Sequence, residues 1–202
     1  MSGMSVVVDQ LTGGKGGRYV VEHMRPVFAD NGYCGVSLNQ GMLRFHDAET
    51  GPLYRALVGE AFPDFAARGV DVLAFDWQGR QYATVDSGGG ESDIWVADIG
   101  RGSIDAVCSV ENFIAALKDD HAFDTVFERE LLDQWRGMVG AENSVIPFDS
   151  CVAYEVPIFL GGSEGVDNLE VADLEVNWTV GAQIYAQVKD LPEGASVNFT
   201  FE

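Results

Sequence analysis

The sequence predicts a single α+β domain, a mixed or antiparallel β-sheet flanked by helices. Three observations predict it. The segments fall in the order strands, helices, strands, helix, strand, not in the strict alternation that builds a doubly wound sheet. The apolar run 70–77 and the run 80–86 are separated by Gln78-Gly79, which reads as two strands joined by a tight turn, with Gly79 supplying a positive φ. The chain of 202 residues is 47% hydrophobic, with no internal repeat, long linker or low-complexity tract, which suits one sizeable core.

The elements follow in order. Residues 1–18 form a flexible lead-in, glycine-rich from Leu11 onward; Lys15 is followed by Gly16 where a phosphate-binding loop needs Ser or Thr. From residue 19 a single domain is expected to run to 202. Tyr19, Val20, His23, Met24, Val27 and Phe28 predict a helix over 19–31, stopped by Asn31-Gly32. A second helix starts near Pro52 and runs towards Arg68, broken or kinked at Pro63. After the hairpin, 87–90 is a loop, and 94–99 and 104–108 are strands joined by Gly100-Arg101-Gly102. Ser109 caps a helix that buries Val110, Phe113, Ile114 and Leu117. One longer helix is predicted over 120–138, with Phe123, Phe127, Leu131 and Trp135 repeating every fourth residue. Residues 151–160 are apolar around Pro157, an edge strand or a bend. Residues 171–178 alternate as a half-buried strand, 180–190 form a short helix with Ile184 and Val188 inward, and 196–201 form a final strand.

Charge is the strongest bulk signal. There are 32 acidic residues against 12 basic ones, a formal net charge of −20. After Arg136 the only basic residue is Lys189, against eleven acids. Such a field repels nucleic acid and anionic membrane surfaces, so neither is expected as a partner. It attracts basic proteins and speeds encounter with them, although solubility or adaptation to salt accounts for the charge equally well. No run of about 18 apolar residues predicts a transmembrane helix. The first ten residues lack the basic start and apolar run of a secretory leader. Three widely spaced cysteines, Cys34, Cys108 and Cys151, fit buried thiols in a reducing, cytoplasmic compartment.

The chemical motifs are weak. His23, His46 and His121 show no metal-binding spacing, so no metal or cofactor is expected. No GxSxG elbow is present. A Cys151–His121 nucleophile pair is disfavoured because Cys151 sits in an apolar strand. Carboxylate pairs of the kind glycosidases use are too abundant among 32 acids to be informative. The loop 162–170 lacks the alternating acids of an EF-hand and reads as an exposed acidic turn. Catalysis is therefore not expected.

Three segments remain: Phe75-Asp76-Trp77-Gln78-Gly79-Arg80-Gln81-Tyr82-Ala83, then Tyr154-Glu155-Val156-Pro157-Ile158-Phe159-Leu160-Gly161-Gly162, then 167–178 beginning Asp167-Asn168-Leu169-Glu170. Together with Leu191-Pro192-Glu193-Gly194 they resemble bacterial immunity proteins of the SUKH superfamily and the neighbouring Tdi-type immunity families, over roughly residues 70–200. The resemblance implies a SUKH-like fold and a function in binding. Such proteins present one face of a sheet and its loops to a cognate secreted toxin and occlude its active site without catalysis. Many such toxins are nucleases or nucleotide-consuming enzymes with basic clefts, which an acidic inhibitor suits. A non-immunity interaction or regulatory scaffold, and an acid-rich hydrolase, stand as alternatives.

Two segments are the candidate partner-binding residues. Asp76, Trp77 and Arg80 flank the hairpin turn, where exposed Trp and Arg make common anchors; alternatively Trp77 is core and Arg80 pairs with Asp76. Glu164, Asp167 and Glu170 lie on the acidic loop, which otherwise is a solvated turn with Asn168 satisfying backbone groups.

Overall fold

Six strands follow one another in chain order across one antiparallel sheet. They are β1 (Ser37–Leu38), β2 (Leu43–Phe45), β3 (Val70–Asp76), β4 (Gln81–Val85), β5 (Asp93–Asp98) and β6 (Ser103–Ser109). Helices α1 (Thr50–Ala61) and α2 (Pro63–Ala66) lie between β2 and β3. Helices α3 (Val110–Ala116), α4 (Asp120–Val126) and α5 (Arg129–Val139) follow β6. A separate two-stranded ladder, β7 (Ser150–Tyr154) with β8 (Leu169–Asp173), precedes α6 (Leu174–Val188). The computed structural model describes residues 8–9, 17, 19, 21, 33–85, 93–192 and 194–201. The loop at 87–90 and, apart from Tyr19 and Val21, the predicted helix over 19–31 lie outside the described residues. The fold is the single α+β domain the sequence predicts, with an antiparallel main sheet.

Both faces of the sheet are covered, so β3 and β4 are buried along nearly their whole length instead of at alternate residues. On one face Leu73, Tyr82 and Ile94 pack with Phe113, Phe123, Phe127, Leu132 and Trp135 of the α3–α5 segment. On the other, Val72, Phe75 and Ala83 pack with Tyr54 and Leu57 of α1 and Leu174, Trp178 and Ala182 of α6. A bulge between Val72 and Ala74 breaks the pleat, so the consecutive residues Leu73 and Ala74 both join the first core.

The hairpin turn between β3 and β4 is clamped from both sides. The Trp77 indole N–H donates to the Phe127 carbonyl at 2.7 Å. The Trp178 indole N–H donates to the Gly79 carbonyl, also at 2.7 Å. Arg44, fully buried on β2, adds a third tie: Nη1 donates to the carbonyls of Pro147 and Ser150 and Nη2 to that of Asp76. Burial lowers its pKa to about 10, and carbonyl dipoles with the Phe75 ring, 4.5 Å from the guanidinium carbon, solvate the cation in place of water.

Several sequence expectations are corrected. The strand over 171–178 ends at Asp173, whose side chain accepts from the Val176 N–H and caps α6. Leu174 and Trp178 are four apart, a spacing that satisfies a strand and a helix alike, and the Asp cap decides for the helix. The single helix over 120–138 is two helices, because Glu128 adopts φ +53° between α4 and α5. Fully buried Leu132 takes the core position expected for Leu131, which is only partly buried, while Trp135 keeps its place. The run 151–160 is strand β7 followed, after Pro157, by a 3-10 turn at Ile158–Leu160. Residues 196–201 form no strand; Thr200 is instead held by three hydrogen bonds to the Gln187 side chain. Within the expected lead-in, Asp9 is fixed, its carboxylate accepting from Ser37 Oγ and the N–H groups of Gln40 and Gly41.

Gly79 has φ +81°, and a Cβ there would lie 2.9 Å from Leu174 Cδ1 and 3.2 Å from the Cys151 side chain. Gly69 has φ +77° and open space around it. Gly69→Ala is expected to cost about 1–2 kcal/mol, the left-handed penalty alone, and Gly79→Ala about 1–3 kcal/mol more for overpacking. Urea midpoints of the two variants measure the difference; equal shifts would show that the turn is not packed as described.

Candidate functional site

The site begins with a buried carboxylate. Asp76, at the end of β3, is fully buried. Its Oδ1 accepts from the backbone N–H groups of Gln78 and Arg80 at 3.0 and 3.1 Å. Its Oδ2 accepts from Arg80 Nε at 2.6 Å and from the Tyr82 hydroxyl at 3.1 Å. Burial alone would lower the Arg80 pKa, but Asp76, Tyr82 and Glu128 together raise it well above the usual value. Arg80 is therefore a fixed cation in the turn.

Arg80 passes the order outward. Its Nη1 lies 3.1 Å from Glu128 Oε2, which also accepts from Gln78 Nε2 at 2.6 Å. These two contacts hold Glu128 in its left-handed conformation and so create the break between α4 and α5. A non-glycine residue adopts that region only when its surroundings compensate the strain.

Glu128 opens onto a broad surface cleft of about 1120 Å³. One wall is α4 and α5, with Asp124, Thr125, Arg129, Glu130, Asp133 and Gln134. The other is Arg101, from the turn between β5 and β6, with Glu164 from the loop before β8. Arg101 Nη1 donates to Glu164 Oε1 at 2.7 Å and Nη2 to the Tyr154 hydroxyl at 3.0 Å. Its backbone N–H donates to Asp98 at 2.9 Å. Burial pushes the Asp98 carboxyl up, while Arg80 and the Arg101 N–H pull it down; the net shift is upward. Arg129 Nε pairs with Asp124 at 2.7 Å. The lining thus carries five carboxylates (Asp124, Glu128, Glu130, Asp133 and Glu164) against two guanidiniums (Arg101 and Arg129), and both guanidiniums are already paired.

The structure sorts the sequence candidates. Asp76 and Trp77 are fully buried, so neither meets a partner directly; Trp77 is core and Asp76 binds Arg80, as the alternative reading had it. The reason is that the Trp77 N–H has a backbone acceptor in Phe127, which lets the whole indole leave water. Arg80 is largely buried, its side chain 12% exposed, and acts through Glu128. Glu164 is exposed and lines the cleft. Asp167 and Glu170 are exposed but do not line it. Asn168 ties the loop, its amide donating to the carbonyls of Val156 and Ser163 and accepting from the Val156 N–H. The two segments that the sequence singles out therefore meet at one place, through Glu128 and Arg101, neither of which belongs to a sequence motif. A lone Arg between two glycines in an acid-rich chain was the available signal for Arg101. Glu128 had none, since its conformation is set by residues fifty positions away.

The other reactive groups lie elsewhere. Cys151 is fully buried on β7, and burial pushes its thiol up to about 12; His121 is exposed on α4. His46 is buried between α1 and β4, with Nε2 2.8 Å from Gln81 Oε1 and Nδ1 3.0 Å from Thr50 Oγ1. The Gln81 oxygen is an acceptor, so Nε2 carries the ring proton. Among the described residues, no three His, Cys, Asp or Glu side chains are grouped to hold a metal ion, and no helix is long and apolar enough to cross a membrane.

No family model matches the chain, and no curated protein matches it. Among solved structures it is similar to the crystal structure of Atu4351 from Agrobacterium tumefaciens. The two share 16% identity over 73% of this chain and 69% of that one, with a TM-score of 0.51. The likeness is one of fold.

Two predictions test the framework. Asp76→Ala strands Arg80 in the interior and is expected to cost about 3–5 kcal/mol, as broken buried pairs do; denaturant unfolding measures it, and a loss under 1 kcal/mol would remove Asp76 from its central position. Burial lowers the His46 pKa from 6.5 to about 4. The folded value lies below the unfolded one, so the stability linked to neutral His46 is complete above pH 6.5 and is lost as pH falls towards 4. The loss is on the order of 2–3 kcal/mol, and His46→Gln should flatten the stability profile across that window; an unchanged slope would contradict the burial.

Proposed function

We propose that this protein is an immunity protein of the bacterial cytoplasm, which binds a cognate secreted toxin and neutralises it by occluding its active site without catalysis. The observation that supports this best is the cleft where the hairpin network and the acidic loop converge, with five carboxylates against two guanidiniums. Such a surface suits a protein partner whose own working cleft is basic, as those of nucleases and nucleotide-consuming enzymes are. Exposed carboxylates on Glu130, Asp133 and Glu164 accelerate encounter with a cationic surface. They need little rearrangement, because Glu128 and Arg101 behind them are held by Asp76, Arg80 and Tyr154. An incoming guanidinium takes the place of Arg101 at Glu164, exchanging one exposed ion pair for another at small cost.

Charge reversal tests the reading. The product of any toxin gene that adjoins this one is titrated with the native protein and with a Glu130→Lys, Asp133→Lys, Glu164→Lys variant. The native protein should bind it and protect cells that express it. The variant should associate at least about tenfold more slowly at low salt, with a shallower dependence on ionic strength. Undiminished binding and protection by the variant, or no binding by the native protein, overturns the proposal.

A further inference from the structure

A second concavity has the opposite character. It encloses about 430 Å³ between the α1–α2 junction, the β5–β6 pair and the end of α6, and shares no lining residue with the acidic cleft. Four aromatic rings line it, Phe62, Phe65, Trp95 and Tyr185, beside Ala61, Pro63 and Ile104. Its charged groups are Arg68 and Lys189, with Asp64 as the one acid. Two of the chain's 12 basic residues thus stand together in a molecule that carries 32 acids.

The arrangement of these groups is specific. The Arg68 guanidinium carbon lies 4.3 Å from the Trp95 ring centroid and 5.7 Å from that of Phe65. Stacking occupies one face of the guanidinium and leaves its N–H edge free to donate. Among the described residues that edge has no carboxylate partner: the ion pairs of the chain engage Arg55, Arg80, Arg101, Arg129, Arg136 and Lys189, not Arg68. Tyr185 is braced by Phe62 and Phe159, with ring centroids 5.3 and 5.2 Å away, and its hydroxyl makes no hydrogen bond among the described residues. Trp95 is only half-buried, whereas Trp77, Trp135 and Trp178 are buried. A preformed aromatic slot, a stacked guanidinium with a free donor edge, a second cation and an unengaged phenol converge on one cavity. Its size falls within the roughly 300–1,000 Å³ of small-molecule sites.

We infer that this cavity binds a small aromatic anion, a planar ring carrying a carboxylate or phosphate. The ring lies among the lining side chains of Trp95, Ile104 and Tyr185, and the anionic group meets the free N–H edge of Arg68 and Lys189. The inference is independent of the acidic cleft and of any toxin. An anion approaching this molecule is repelled by the overall charge, so the local cations and the ring surface must act together. Neither an inorganic anion nor a neutral ring suffices.

The experiment follows the indole N–H resonances of the full-length protein in two-dimensional NMR, during titration with phenylphosphate and with phenylacetate. Inorganic phosphate and phenylacetamide serve as the anion-only and ring-only controls. Both aromatic anions should shift the Trp95 resonance saturably below about 10 mM, and both controls should bind at least about tenfold more weakly. Whichever of the two anions binds tighter distinguishes a phosphate from a carboxylate ligand. Arg68→Gln, at an exposed position, should weaken binding about tenfold or more, and Lys189→Gln should weaken it less. The unchanged pattern of the other indole resonances reports that each variant is folded. No saturable shift with either anion, equal binding of phenylacetamide, or unchanged affinity in folded Arg68→Gln overturns the inference.

Discussion

The structure depends on how one buried carboxylate is satisfied. Asp76 sits where β3 ends, with no exposure to water, and an isolated carboxylate there would be prohibitive. Four donors converge on it: two backbone N–H groups of the turn, the Arg80 guanidinium and the Tyr82 hydroxyl. Each donor is thereby fixed as well. The turn takes one conformation, Arg80 is held against Glu128, and Glu128 breaks the helix that would otherwise run on from α4. The wall of the acidic cleft is thus set by a charge that the cleft never exposes. Buried ion pairs add little net stability, but losing one partner of such a pair is severe. Asp76 accordingly specifies geometry more than it strengthens the fold.

The sequence revealed the parts of this arrangement that depend on local chemistry. The hairpin at Gln78-Gly79, the break at Pro63 and the Ser109 cap were legible because turns, prolines and caps act over a few residues; the Ser109 side chain does accept from the Asn112 N–H. What was hidden depends on distance. Spacing of four at Leu174 and Trp178 is compatible with either regular structure, so only the Asp173 cap could separate them. The stripe of Phe123, Phe127, Leu131 and Trp135 promised an unbroken helix, because nothing near Glu128 announces the pull of Gln78 and Arg80. Trp77 and Arg80 were picked out as surface anchors by residue type alone, whereas burial is decided by acceptors at Phe127 and Asp76. Glu164 lines the cleft, but its counterpart Arg101 stands in a turn whose Gly-Arg-Gly sequence marks only a connection.

The two concavities divide the surface chemistry between them. Along the α4–α5 wall, acids outnumber bases and the guanidiniums present are neutralised by neighbours, which leaves carboxylates to face outward. At the α1–α2 junction the balance is reversed, and Arg68 is held by rings instead of by an acid. A net charge of −20 is therefore not a uniform coat. It is a background against which, among the described residues, the small cationic patch at Arg68 stands out, and selectivity for charge can differ between these two openings.

The Trp178–Gly79 hydrogen bond has a further consequence. It joins residues 99 positions apart, and the ties from Arg44 to Pro147 and Ser150 span 103 and 106 positions. Strands β3 and β4 are encoded before residue 86, yet α6, which helps cover one of their faces, comes only at Leu174–Val188. Until residues 174–182 have been made, the growing polypeptide carries β3 and β4 with the part of that apolar face not covered by α1 open to water. Folding of this kind is slow to complete and exposed to aggregation while it waits. During that interval the many acidic side chains act as a solubiliser of the nascent chain, keeping unfinished molecules apart by mutual repulsion.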